Sequence, residues 1–306
     1  MNRLKKSGKQ DKKLLGGTKT KRRVLKMNNI VTYEPDNSLK KGYFSMFGEI
    51  LHELKNNKWL TFQLFKRDFF AVYKQSFVGI FWAFIMPLVS IGTFFILNRS
   101  GVLDVGEIDI PYPIYALLGM AFWQVFSTGL GASSNSLGSA VLMITKINFS
   151  KKSLIFASMG RPVIIFLFQL VFVAILFVIY KIMPNKDAFL APLVLVPILF
   201  LVMGLGFILA LFNSFIKDVG NGFSVLITFL MFLTPVLYAK PKMGILTHIT
   251  RYNPMYYMMS AGRDLVLTGT ISELKGFILS SIASILIFIV SLLLFHLTET
   301  RITERI

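Results

Sequence analysis

Carboxylates are the groups that would carry a proton or a cation through a membrane. Past the N-terminal flank they stand at Asp68, Asp104, Glu107, Asp109, Asp187, Asp218, Asp264, Glu273, Glu299 and Glu304. None falls inside one of the long apolar stretches that begin near Phe77. Ion-coupled carriers place such groups at membrane depth, so the energy for any transport is expected to come from outside the chain. Nucleotide chemistry is missing too. A phosphate-cradling loop needs Gly-x-x-x-x-Gly-Lys-Ser/Thr, and the Gly8-Lys9 pair is followed by Gln10. His52, His248 and His296 lie in three different segments without ligand spacing. With no cysteine, disulfides, thiol nucleophiles and Cys-based metal sites are excluded. No enzymatic site is expected, and no cofactor.

Three other groups could still recognise something. Arg161, followed by Pro162, is a charge within an apolar stretch. It is costly there, so it should face a cavity, a headgroup, a partner helix or an anionic substrate group. The run Ser127 to Ser139 interleaves Ser, Thr and Asn with Gly129, Gly131 and Gly138. Such residues allow close helix approach, or they line a polar path. The aromatics Trp82, Phe122, Trp123, Phe126 and Tyr238 are the third group. Trp82 and Trp123 lie deeper than an interfacial belt explains, and ring faces can stack on sugars.

The elements that must position these groups are membrane helices. The chain has 306 residues, is 54% hydrophobic and has a mean hydropathy of +0.64. Its apolar residues are gathered in runs of roughly 20, the length a helix needs to cross a bilayer core. We read six spans, near Phe77–Leu97, Pro113–Ala140, Leu154–Tyr180, Ala188–Phe215, Asn221–Tyr238 and Gly276–Leu297. The fold class is therefore an all-α integral membrane protein. Domain boundaries fall at 1–43, a basic disordered tail; 44–76, an amphipathic interfacial helix; 77–298, the spans; and 299–306, a short tail. Between spans five and six, Pro241, Asn253, Pro254, Gly262 and Gly269 interrupt an apolar connection, which suggests short broken or re-entrant helices.

Charge orients this arrangement. Lys55, Lys58, Lys66, Arg67 and Lys74 precede the first span, and Lys146, Lys151 and Lys152 lie between the second and third. The positive-inside rule puts both termini in the cytoplasm. The five basic residues from Lys240 to Lys275 run against that rule. The net charge is +18, of which residues 1–43 supply +10 from 13 Lys/Arg against Asp11, Glu34 and Asp36. That tail has no apolar core of a secretory signal. It is drawn to anionic headgroups or serves orientation alone. In the segment 44–76, Leu60, Leu64, Phe65, Phe69, Val72 and Tyr73 recur at helical spacing with Lys66, Arg67 and Lys74 between them, which suits the membrane interface.

In motif order, residues 60–305 resemble the membrane permease subunit of bacterial ABC exporters of surface polymers: O-antigen, capsular polysaccharide and teichoic acid. The resemblance rests on Tyr73-Lys74-Gln75-Ser76, Gly79, Trp82 and Pro87; on Trp123, Phe126, Asn135 and Ser136; and on Lys146, Phe149, Ser150 and Lys151. It continues with Lys217-Asp218, Thr234-Pro235-Val236-Leu237-Tyr238, Asn253-Pro254-Met255 and Arg263. Ser150 and Lys151 depart from the family's Pro and Arg. The resemblance implies a homodimer in the bacterial cytoplasmic membrane, with two copies of a separate ATPase that bind ATP and Mg. The substrate would be a lipid-linked polymer, with membrane lipids as further partners and no nucleic acid. It implies an ATPase-coupling segment over Ile144–Ser153, expected as a short helix and carrying Lys146, Asn148, Phe149 and Lys151, with Phe149 as apolar anchor in the ATPase groove and Lys146 and Lys151 at its rim. Trp82, Phe122, Trp123, Phe126, Tyr238 and Arg161 would line the substrate conduit, and Phe69, Tyr73 and Lys74 belong to the interfacial helix. The alternative is a permease of the same fold exporting a drug, lipid or peptide.

Overall fold

The computed structural model describes residues 43–73, 81–101, 106, 108, 110–147, 149–216, 218–241 and 243–303. The readings made for residues 1–42, for Lys74 and for Asn148 lie outside these. Twelve α-helices and no strands occur among the described residues.

The segment expected as one interfacial helix is two: α1 (Tyr43–Asn56) and α2 (Lys58–Tyr73). The break falls at Asn57, whose side-chain amide donates back to the Glu53 carbonyl at 2.9 Å. Asn competes in this way with the helical backbone. Both helices are two-faced. Met46, Ile50 and Leu64 are buried, while Phe47, Leu51, Trp59, Phe62 and Phe70 are exposed beside Lys55, Lys58, Lys66 and Arg67.

Helix α3 covers Trp82–Arg99. Helix α4 (Tyr112–Asn135) is the hub, with Pro113 in its first turn, where a missing N–H costs nothing. It is buried along most of its length against α7, α8, α9 and α11. Its small polar half serves close packing. Gly206 of α8 leaves no room for a Cβ against Ser133, and Ser133 Oγ meets Ser158 Oγ at 3.2 Å. A short 3-10 turn at Gly138–Ala140 leads to α5 (Val141–Lys146).

The third predicted span is interrupted. Helix α6 (Lys152–Ser158) is followed after Met159 by α7 (Gly160–Ile179), with Pro162 in the first turn of α7. The fourth begins as a 3-10 stretch, Lys186–Val194, which passes into α8 (Leu195–Phe215). Gly204 of α8 sits against the Phe288 backbone, a distance only a residue without Cβ permits.

Helix α9 (Asp218–Leu233) stops before Pro235, earlier than expected, because the residue before a proline avoids the α region. The broken connection becomes α10 (Ile245–Tyr252) and α11 (Pro254–Leu267). Asn253 caps α11 by accepting from Met255 N–H at 3.0 Å. Helix α12 runs Leu274–Thr303, so Glu299 is helical and not the start of a tail. Its 30 residues make about 45 Å of helix, more than a hydrocarbon core of ~30 Å.

Among the described residues, four segments are long and apolar enough to cross a membrane: Tyr112–Asn135, Lys152–Ile179, Lys186–Phe215 and Leu274–Glu299. Helices α3 and α9 stand for the other two predicted spans and are shorter, at 18 and 16 residues. The burial pattern is that of a protein in lipid. On α12, Leu279, Ile282, Leu286, Val290 and Leu294 form an exposed stripe, while Ser280, Ser284 and Ser291 point inward. Water would reverse that choice. Lipid accepts the apolar stripe, and small hydroxylated residues let helices meet.

Two cores result. The larger surrounds α4 with side chains from α7, α8 and α11. The smaller joins Ile50, Leu64, Leu137, Phe149, Leu154, Phe207 and Phe295, and so binds α1, α2, the α5–α6 loop, α8 and α12 together.

Candidate functional site

The α5–α6 loop was the expected coupling segment. It is not one helix over 144–153. It is an extended residue, Ile147, and a turn between α5 and α6. Phe149 points inward and is buried in the smaller core, and Lys151 is buried as well. Among the described residues, the outer face of α5 and the loop carries Leu142, Thr145, Lys146 and Ile147, with Leu142 77% and Ile147 58% exposed. Thus Phe149 and Lys151 fasten the loop to the rest of the chain, and Lys146 is the one described member of the expected set that faces outward.

The fastening is ionic. Lys152 has no exposed surface, and its ammonium meets Glu53 Oε2 of α1 at 2.8 Å. It also bonds Glu299 Oε2 of α12. The other oxygen of Glu299 accepts the backbone N–H of Lys151 at 2.5 Å. His296 lies one turn back on α12, and ligand atoms of Glu53, His296 and Glu299 lie within 4.8 Å of one another. In the sequence Lys152 is indistinguishable from Lys146 and Lys151, the other two lysines of this segment. Its carboxylate partners are 99 residues before and 147 residues after it, and no short-range pattern announces them.

A second polar knot lies at the other end of α4. Arg263 of α11 is buried, and its guanidinium carbon stands 3.9 Å from the centroid of the Tyr115 ring. One arm donates to the Pro235 carbonyl at 3.2 Å and the other to the Val236 carbonyl. Gly119 makes the room, since a Cβ there would strike the guanidinium. Tyr112 donates to the Leu237 carbonyl at 3.0 Å and Tyr115 to the Tyr238 carbonyl at 3.1 Å. Asn253 donates to Thr234 Oγ1 at 2.7 Å. The motif residues Thr234 to Tyr238, Asn253 and Arg263 are therefore one structure: a turn whose carbonyls, released where α9 ends, are met by a planar cation and two phenols. Nearby, burial and the Glu273 carboxylate push the Tyr256 phenol above the ordinary tyrosine value. It stays protonated and donates to Glu273 at 3.0 Å.

The expected conduit residues separate. Phe122, Trp123 and Phe126 are buried in the larger core; Phe122 packs on Phe166 with centroids 5.0 Å apart, and Trp123 on Phe126 at 5.2 Å. Trp82 is 47% exposed on α3. Tyr238 is half-buried and donates to the Phe232 carbonyl at 2.7 Å. Arg161 is half-buried in the first turn of α7. Phe69 is half-buried on α2, and Tyr73 ends that helix. Sequence reasoning passed over the Gln124–Gln169 bond, 2.8 Å across α4 and α7 with Gln169 buried. Two amides at matching depth in neighbouring apolar helices were the available signal.

This architecture has relatives. Residues 60–267 match the family model of the ABC-2 type transporter. The chain is 24% identical over 241 residues to an O-antigen export system permease protein, RfbA, of Klebsiella pneumoniae, covering 78% of this chain and 91% of that protein. It is 27% identical over 193 residues to a protein of the same name from Myxococcus xanthus, covering 62% of this chain and 72% of that one. With two thirds of its length matched, from α2 to the end of α11, the chain belongs to the ABC-2 type transporter family.

Proposed function

We propose that this chain is the permease subunit of an ABC exporter that moves a lipid-linked polysaccharide across the bacterial cytoplasmic membrane. The observation that carries the reading is the likeness to O-antigen export permeases over 78% of this chain and nearly all of the relative. The missing nucleotide loop supports a motor on a separate ATPase, which would hold ATP and Mg. On this reading α3 and α9 complete a set of six spans, both termini are cytoplasmic, and two copies pair with two ATPases. The exposed aromatics and lysines of α1 and α2 suit a helix pair lying in the membrane interface. The ATPase would dock on Leu142, Lys146 and Ile147, with Phe149 holding the loop from behind. Trp82 would face the polymer path, and Phe122, Trp123 and Phe126 would form its packed wall. Depletion of the chain in its own cells tests the reading. Lipid-linked glycan should accumulate on the cytoplasmic side and surface glycan should fall. Unchanged surface glycan with no internal accumulation would contradict it.

A further inference from the structure

The buried lysine calls for a reason beyond stability. Removing three charges from water costs much of what their attraction returns, and an apolar side chain would fill the same space. The best-attested use of such a pair is to fix one arrangement among several. Here the arrangement joins segments distant in sequence: α1 through Glu53, the start of α6 through Lys152, and the end of α12 through Glu299. Glu299 holds the loop twice, by the Lys152 ammonium and by the Lys151 backbone, so the main chain of the loop is fixed as well as a side chain. From α12 the connection continues inward. Phe288 meets α8 at Gly204, and α8 meets α4 at Gly206 and Ser133.

We propose that Lys152, with Glu53 and Glu299, is a latch that makes the α5–α6 loop, α1 and the end of α12 one rigid body, so that a push on the loop moves the spans instead of being absorbed in the loop. The inference rests on the exporter reading above. Lys152 is a positioning residue; it touches neither polymer nor nucleotide. The geometry also argues against a metal at this place. Glu53, His296 and Glu299 have a spacing that suits a divalent cation, but the Lys152 ammonium already bridges the two carboxylates.

The test uses the full complex with its ATPase, reconstituted with lipid-linked glycan. Glu299→Gln keeps the shape and an acceptor for Lys151 N–H while removing the charge. Lys152→Arg keeps the cation. Two quantities are read: glycan moved per ATP hydrolysed, and the distance between spin labels at Leu51 of α1 and Leu294 of α12, both exposed and outside the proposed docking face, with and without trapped nucleotide. The wild type should keep one distance in both states. Glu299→Gln should continue to hydrolyse ATP, move about tenfold less glycan per ATP, within the usual range of coupling between sites, and show a distance that changes with nucleotide. Lys152→Arg should retain most of the yield. A merely structural role would lower protein level, ATPase and export together and leave the ratio unchanged, and that result would overturn the latch. So would an invariant distance in Glu299→Gln. If the wild type itself shows no ATP-driven movement, the exporter reading fails and the latch with it, a result separate from any difference between variants.

Discussion

Phe149 illustrates how one side chain can change its meaning between sequence and structure. Its position in the loop suggests an anchor for a partner, but its ring is buried among Ile50, Leu154 and Phe295 of its own chain. Truncation of a buried Phe costs about 3–5 kcal/mol. Phe149→Ala is therefore expected to lower the melting temperature of the isolated permease in detergent, before any ATPase is added. A wild-type melting curve with lost ATPase assembly would return Phe149 to the interface. Trp82 and Trp123 divide in the same way. Trp123 is buried and Trp82 is half exposed. Trp82→Leu should leave protein level and ATPase intact and reduce surface glycan several-fold. Trp123→Leu should reduce protein level first. Normal export from Trp82→Leu would remove it from the path, because lipid asks only for apolar surface.

At the scale of elements, the apolar runs were legible because lipid selects composition over about 20 residues at a time. Helices α4, α7, α8 and α12 follow from that signal. Their interruptions were less legible. Pro235 marks the end of α9, yet the carbonyls it releases are met by Arg263, Tyr112 and Tyr115 from two other helices. Arg263 was visible as a motif member, and its role was not, since 27 residues separate it from Val236. The break at Asn57 was missed because the apolar period continues through it. The loop is the clearest case. Three lysines within seven residues look alike in sequence, and the fold exposes Lys146 and buries Lys151 and Lys152. The apolar side chains left outside, Leu142 and Ile147, are the ones a partner can cover. Leu142→Asp with Ile147→Asp is expected to abolish copurification of the ATPase while leaving the melting temperature of the permease within a few degrees, as surface changes usually do. Retained assembly would place the docking face elsewhere.

For the whole molecule, the proposed role is that of a transmission driven from outside the chain. Ionic and polar side chains gather at two levels. The Lys152 cluster joins the loop to α1 and α12, and the Arg263 turn closes the opposite end of α4. Between them the packing consists of rings, aliphatic side chains, small residues and the Gln124–Gln169 pair. The described residues named there include no carboxylate, in keeping with the carboxylates that the sequence keeps out of its apolar stretches. The central claim is thus that work enters from a separate ATPase. The most direct measurement is ATP turnover and glycan movement in proteoliposomes, with the purified permease alone and then with its ATPase. We expect no hydrolysis and no movement from the permease alone, and ATP-dependent movement when the ATPase is present. Hydrolysis by the permease alone, or movement driven by an ion gradient without ATP, would contradict the account.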